Sequence, residues 1–341
     1  MGLGLEDPYT QKLPTIDELR ACIPKEVFHK SVVKSLAYWF FDMTLVYALY
    51  KLVPVFEQAG ILGLFVWILL QGTALTAIFV IGHDCGHGSF SNYTWLNDIV
   101  GHLTHGMIFA PYWPWQKSHR MHHTYTKKKY KELDPVTTFY AYSATTAPIR
   151  WYLYTTAGLP DGSHFWPGSE LFTSTKERIQ CCVSAAVCFT FAYIAYTLCG
   201  GPLPFFKLYI CPLLVMGSWM IIITYMHHQT DDIQVFENGN WNFVKGQLQT
   251  IDRPYGFYFD EVLHNITDGH VAHHLFFTAI PHYNLKKATE AIVKKLEPLG
   301  VYRKQNSWDF IWRFAALSNR LRFLVGEGTG KLMYETGQKE E

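Results

Sequence analysis

Ala59 to Gly82 reads AGILGLFVWILLQGTALTAIFVIG, and the five residues that follow are His83-Asp-Cys-Gly-His87. The 24 residues carry no charge. A helix needs about 20 apolar residues to cross a bilayer, so this stretch predicts a membrane span. It runs directly into two histidines spaced i, i+4, which share one helix face. Working outward, Ile179 to Phe206 is uncharged for 28 residues and Leu208 to Thr230 for 23. Gly200-Gly-Pro-Leu-Pro204 and Lys207 separate them, so the two predict a helical hairpin. Val32 to Val53 is a weaker span, because it carries Lys34 and Asp42. A lysine near a helix end can reach the headgroups. Asp42 is costly against lipid, so it is expected to face another helix or a polar cavity. Ile99 to Trp115 is uncharged but broken by Pro111 and Pro114. It predicts an interfacial or re-entrant element rather than a span.

Four spans place both ends of the chain on one side of the membrane. The 341 residues hold 29 Lys+Arg against 28 Asp+Glu, a net charge of +1 that suggests no nucleic-acid partner. That balance hides an asymmetry: 27 of the 29 basic residues lie in the N-terminal stretch up to Lys34, the 83–178 loop and the region after 230. Only Lys51 and Lys207 fall on the other side. The positive-inside rule therefore orients the loop and both termini to the cytosol. The expected architecture is an all-α integral membrane protein with four transmembrane helices in two hairpins and a cytosolic helical cap. Its expected parts are a cytosolic segment 1–31, a first hairpin 32–82, a cytosolic loop 83–178, a second hairpin 179–230 and a C-terminal cap 231–341. MGLGLEDPYT at the start has neither a cleavable-signal pattern nor the residue a myristoylation site needs at position 6, where Glu6 stands. The seven cysteines include no CxxC and are expected as small buried hydrophobes rather than disulfides.

Among the polar segments, Thr15-Ile-Asp-Glu18 predicts a capping box. LKKATEAIVKKLE, 285–297, predicts a helix with a basic face. The 308–325 segment mixes aromatics with Arg313, Arg320 and Arg322, which suits a helix at a headgroup boundary or one packed on the cap. The run Lys127-Lys-Lys-Tyr-Lys131 suits lipid headgroups, an acidic electron carrier or plain solvent.

Three histidine clusters stand out among 16 histidines: His83…His87 (HxxxH), His119…His122-His123 (HxxHH) and His270…His273-His274 (HxxHH). On helices each cluster aims two or three imidazoles at one region. Eight imidazoles exceed what one tetrahedral zinc uses, so a two-metal centre is the economical reading. Topology puts all three clusters on one membrane face. His227-His228, at the end of the fourth span, adds a ninth ligand on that face, with His228 preferred. His29, His102, His105, His164 and His282 read as structural or surface residues. Asp84, Asp268 and, less directly, His264 and Asp98 flank the clusters as candidate partners for imidazole N–H groups. A zinc transporter would instead carry its ligands at mid-depth within the spans.

At these residues the chain resembles the membrane fatty acid desaturases, whose mark is three histidine boxes. It is most similar to the methyl-end type: plant oleate desaturases and the animal, nematode-like enzymes acting at the twelfth carbon or the omega-3 position. The stretches that carry the resemblance are GHDCGHGSFSNYTWLND (82–98), APYWPWQKSHRMHH (110–123), GLPDGSHFWP (158–167), TIDRPYG (250–256), HNITDGHVAHH (264–274) and IPHYNLKKATEAI (280–292). The resemblance implies a four-helix membrane fold with a cytosolic cap and a di-iron centre. Its implied ligands are His83, His87, His119, His122, His123, His228, His270, His273 and His274, with Thr224 one turn before His228. It also implies O2 as co-substrate, an acyl lipid or acyl-CoA substrate, separate cytochrome b5 with its NADH reductase as electron donor, and the endoplasmic reticulum membrane.

The chemistry demands a redox centre. An unactivated methylene has no acid–base route at neutral pH, because no side chain is basic enough to take its proton. A redox metal pair with O2 can supply the oxidant. The donor set alone does not choose iron over zinc; the redox demand and the resemblance do. An apolar tunnel must bring the chain to the metals, with Tyr112, Trp113 and Trp115 as candidate walls. The wording of the motifs favours the twelfth-carbon type over omega-3. A hydroxylase, acetylenase or conjugase on the same scaffold is the nearest different outcome.

Overall fold

The computed structural model describes residues 7–128, 147–158, 162–321 and 324–334. Four of its helices are long and apolar enough to cross a membrane: Val32–Gln58, Gly60–His87, Thr175–Cys199 and Pro202–His228. The first two meet at Gly60, and the last two reverse through Gly200 (φ +75°) and Gly201 (φ +150°). Glycine adopts such angles without the penalty a side chain brings. The second turn is shorter than the five-residue turn expected from sequence. Pro202 opens the next helix at once, since its fixed φ suits a first helical position. Lys207 therefore sits inside the fourth span, within the one π turn the helix makes at Phe206–Ile210. Its ammonium meets Glu57 at 3.3 Å and ties the two hairpins together at their far end. The third span starts at Thr175, ahead of the expected Ile179, because Ser174 and Glu177 form a capping box.

The four spans are not equivalent. In their most apolar stretches the second and fourth are 67% and 50% buried, against 17% for the first and third. The second and fourth are thus an inner pair. Phe40, Phe41, Ile61, Leu62 and Leu198 are left exposed, as lipid-facing side chains are. The second span has 28 residues. At 1.5 Å per residue that is about 42 Å, longer than the roughly 30 Å hydrocarbon slab. The surplus turns carry the first histidine cluster. Asp42, the one acid expected to avoid lipid, is buried and meets His264 Nε2 at 2.7 Å.

The 99–115 stretch belongs to two helices, Thr94–Met107 and Tyr112–Thr124, with Phe109 at φ +55° in the turn. The first packs closely on the second span, where a Cβ at Gly82 would stand 2.2 Å from His105 Nδ1. The Thr15–Glu18 capping box is present at the start of Ile16–Cys22. Leu285–Leu296 buries Leu285, Ala288, Ile292 and Leu296 on one stripe, leaving its lysines on the other face. In the 308–325 segment the helix is Phe310–Arg320. Its inner face packs on the fourth span, Phe310 against Trp219 (5.3 Å between rings) and Phe314 against Tyr225 (5.5 Å). Trp308, Ile311 and Trp312 stay exposed.

The described residues are mostly helical, as expected, with one small addition: β1 (Gln234–Phe236), β2 (Leu324–Val325) and β3 (Lys331–Tyr334) form an antiparallel sheet in the order β1-β3-β2. One expectation needs correction. Lys127 is not part of a solvated basic run but is fully buried, at φ +57°. Its carbonyl accepts from the Phe236 N–H at 2.8 Å, which draws the backbone inward. Lys128 lies over the Trp241 ring, 5.3 Å from its centroid. Lys129 and Lys131 lie outside the described residues. All seven cysteines are free.

Candidate metal centre

Each histidine cluster sits on a helical turn, and the turns converge. His83 and His87 end the second span; His119, His122 and His123 are on Tyr112–Thr124; His228 ends the fourth span; His270, His273 and His274 are on His270–Phe276. His83, His87, His119, His123 and His273 place one ring nitrogen each within 4.8 Å of one another. His122, His228 and His274 form a second such group. His270 Nε2 joins it at 3.1 Å from His228 Nε2. His227, the alternative to His228, turns away: its Nδ1 meets the Ile251 carbonyl at 2.7 Å.

The nitrogen contacts show what the arrangement suits. Nε2–Nε2 distances are 3.2 Å for His83–His87, 3.1 Å for His119–His123, 3.2 Å for His123–His273 and 3.2 Å for His122–His228. His123 Nε2 and His228 Nε2 each have two such neighbours. Hydrogen bonding cannot satisfy these sets, since a neutral imidazole carries one proton. Lone pairs converging on a cation can. Metal–nitrogen bonds of about 2.1 Å put ligands at right angles about 3.0 Å apart and tetrahedral ligands about 3.4 Å apart. The observed separations fall between those values. Burial favours the uncharged imidazole, the form a metal ligand must take. It pushes His119, His123, His270, His273 and His274 well below the usual imidazole value, helped by their neighbours, and His122 down to about 3. The residues present therefore fit a pair of metal ions held by nitrogen alone, one within five imidazoles and one within four.

The groups around the rings differ in part from the sequence expectation. Asp84 does face a ligand, with Oδ1 3.8 Å from His83 Nδ1. Asp268 does not serve His270, whose Nδ1 instead meets the Ile266 carbonyl at 3.3 Å. Its Oδ1 is buried with no partner among the described residues, and burial raises the carboxyl to about 6. His264 is committed to Asp42 rather than to a ligand. Asp98 accepts from Trp113 Nε1 at 3.0 Å. Two partners were missed. Gln247 Oε1 meets His274 Nδ1 at 2.9 Å, while its Nε2 donates to the His123 carbonyl at 2.7 Å. His282, read as structural, bonds Asp84. Gln247 sits on a five-residue helix, outside any motif, so nothing in the sequence singles it out. Of the remaining structural histidines, His102 bonds the Asp98 carbonyl at 2.7 Å and His164 bonds Ser118 Oγ at 2.9 Å.

The imidazoles open on an apolar cavity between the inner spans. Thr76, Phe79 and Val80 line it from the second span, and Met220, Ile223 and Thr224 from the fourth. Trp115, Trp151, Tyr154 and Ile266 close its sides. Of the three aromatics expected on a tunnel, only Trp115 is here. Tyr112 packs with Ile81, Cys85 and Val100, and Trp113 stands against His102.

Nine imidazoles, seven of them buried, gather at one end of the inner helix pair of a four-span helical protein, above an apolar cavity: the arrangement of a membrane protein that can hold metal beside an aliphatic chain. Residues 59–307 match the sequence model of the fatty acid desaturase family. The chain is 44% identical to the Delta(12) fatty acid desaturase fat-2 of Caenorhabditis elegans, over 96% of this chain and 92% of that protein. It is 41% identical to the omega-3 fatty acid desaturase fat-1 of the same animal, over 98% and 88%. It is 37% identical to a sn-1 acyl-lipid omega-3 desaturase (ferredoxin) of Synechocystis, over 90% and 88%. The chain belongs to the fatty acid desaturase family, and is an oxidoreductase that desaturates acyl chains.

Proposed function

We propose that this enzyme inserts a cis double bond toward the methyl end of an already unsaturated acyl chain, at the twelfth carbon, with two irons held by the nine imidazoles. The observation that carries the reading is the pair of imidazole groups, five and four, above an apolar cavity. The reaction consumes O2, two electrons and two protons, removes two hydrogens from neighbouring carbons and releases two waters. The iron pair, when bound, supplies the oxidising power that no side chain has. The protein's own part is positional. The nine imidazoles hold the metals with neutral donors. The cavity walls bury the acyl segment, exclude water and hold it against the imidazole rim. Thr224, one turn before His228, is a polar group on that wall.

The electrons are assigned to separate cytochrome b5 and its NADH reductase, the substrate to an acyl lipid or acyl-CoA, and the enzyme to the endoplasmic reticulum membrane with site and termini in the cytosol. The 27-to-2 split of basic residues supports this orientation. An omega-3 position is the second reading, since an omega-3 desaturase is nearly as similar as a Delta(12) enzyme. The test is expression in a yeast that lacks diunsaturated acids, with double bonds located by mass spectrometry of derivatised esters. A new 9,12-diene supports the proposal. A triene formed only when diene is fed moves the assignment to omega-3, and a hydroxylated product moves it to another outcome of the scaffold. No new product counts against it.

A further inference from the structure

Of the nine imidazoles, His83 is the one whose Nδ1 faces a carboxylate among the described residues, Asp84 Oδ1 at 3.8 Å. That nitrogen is buried and has no hydrogen-bond partner among the described residues. The opposite oxygen, Asp84 Oδ2, accepts twice from one residue: from the His282 backbone N–H and from its Nδ1–H, both at 2.9 Å. His282 is itself locked. Its ring lies 4.6 Å from that of His264, which is bonded to Asp42 of the first span at 2.7 Å. Tyr38 of the same span stands edge-on to both imidazoles, at 4.7 and 5.5 Å.

We propose that His282 is a positioning residue for metal binding: by holding Asp84 Oδ2 from two directions it fixes Oδ1 as the acceptor for His83 Nδ1–H. The inference rests on the metal-centre reading above and deepens it. A ligand that gives Nε2 to a metal keeps its proton on Nδ1, and a buried N–H needs an acceptor. Among the described residues the carboxylate oxygen that faces it is Asp84 Oδ1, and the proposed hydrogen bond needs the 3.8 Å separation to close. A carboxylate behind an imidazole sets the ring's orientation and raises its basicity as a donor. Without the His282 ring, Oδ2 keeps only the backbone N–H, so Asp84 is held from one direction instead of two and His83 loses part of that support. Since His83 belongs to the five-imidazole group alone, one metal site depends on His282 and the other does not.

The experiment is anaerobic Fe2+ titration of the metal-free full chain in detergent micelles, with the two sites resolved by Mössbauer spectroscopy. His282→Ala is expected to weaken one site by about 10–100-fold and leave the other unchanged. His282→Gln, which returns a side-chain donor, is expected to recover most of the loss. In an Asp84→Ala background, His282→Ala is expected to add nothing, because it acts through that carboxylate. Equal weakening of both sites, unchanged affinity, or full additivity with Asp84→Ala overturns the proposal. If His282→Ala fails to accumulate, Asp84→Asn carries the test. An amide oxygen that accepts from His282 leaves His83 facing an NH2 group, so the same site must weaken; unchanged affinity overturns the proposal. A wild-type chain that binds no iron overturns the di-iron reading as well, whereas wild-type binding with no effect of His282 overturns this inference alone.

Discussion

Asp42 Oδ2 and His264 Nε2 lie 2.7 Å apart, both side chains buried, and join the first membrane span to the loop ahead of the third histidine cluster. His264 takes φ +55° to make this contact, a backbone angle uncommon outside glycine. Removing one partner of a buried pair costs about 3–5 kcal/mol, because the other is left without compensation. Asp42→Leu is therefore expected to lower the melting point of the detergent-solubilised protein by several degrees. Asp42→Asn, which keeps an acceptor for the imidazole, should lose less than half as much. Equal melting of Asp42→Leu and wild type would show that the pair contributes nothing.

Alanine at any of the nine clustered histidines is expected to abolish product and reduce bound iron. Loss of an outer partner already costs about 10–100-fold in such sites, and loss of a ligand should cost more. His164→Ala is the contrast, since His164 bonds Ser118 and lies outside both imidazole groups. It should keep iron while losing some stability. Elemental analysis together with gas chromatography of the fatty esters reads both. Full activity in His122→Ala or His273→Ala would sink the ligand assignment.

The metal-free protein should lose stability as pH falls below about 6.5. His122 and His164 are pushed down to about 3 by burial, so they stay neutral in the folded state. In the unfolded chain they take up protons near pH 6.5. The unfolded state then binds more protons between those values, and stability rises with pH across that window. Each such imidazole contributes a slope of about 1.4 kcal/mol per pH unit. Denaturant melts of metal-free protein from pH 8 to 5 should show it, with a shallower slope in His164→Asn. A flat profile would contradict the burial.

The floor of the cavity should count carbons. Thr76 is fully buried on the cavity wall and its hydroxyl is spent on the Gly72 carbonyl at 2.9 Å. Thr76→Leu enlarges the side chain there, at a cost of about 1–3 kcal/mol for overpacking. It is expected to shift the product profile toward shorter acyl chains. An unchanged chain-length distribution in yeast expressing the variant would place the end of the acyl chain elsewhere.

Orientation can be read from a sequon. Asn92-Tyr-Thr94 is exposed and chemically able to carry a glycan. Asn265-Ile-Thr267 is a poor reporter, because the Thr267 hydroxyl is buried on Asp260 at 2.6 Å. With the site in the cytosol neither should be modified. A mass shift removed by endoglycosidase and absent in Asn92→Gln would reverse the orientation.

The spans were legible because a bilayer imposes a rule that acts on consecutive residues: length, apolarity and basic flanks are written along the chain. The nine histidines were legible because i, i+3 and i+4 spacing makes a helix face. The third span's true start was also written, in Ser174 and Glu177, though its apolar run alone hid it. What surrounds the imidazoles was not legible. Asp268 looked like a partner for His270 by proximity in sequence, yet Ile266 offers a carbonyl in the right place. Gln247 reaches His274 from 27 positions away, and His282 reaches Asp84 from 198.

By itself, then, the sequence determined that four helices cross a membrane and that three histidine clusters can face one region, since both follow from helical periodicity and burial. Only the tertiary structure decided how the imidazoles divide into five and four, that Trp115 lines the cavity while Tyr112 and Trp113 do not, and that Lys127 is buried. Those outcomes depend on which side chains meet across elements far apart in the chain. Such meetings are settled by packing, where a neighbour's shape and spare hydrogen-bonding groups count and local spacing does not.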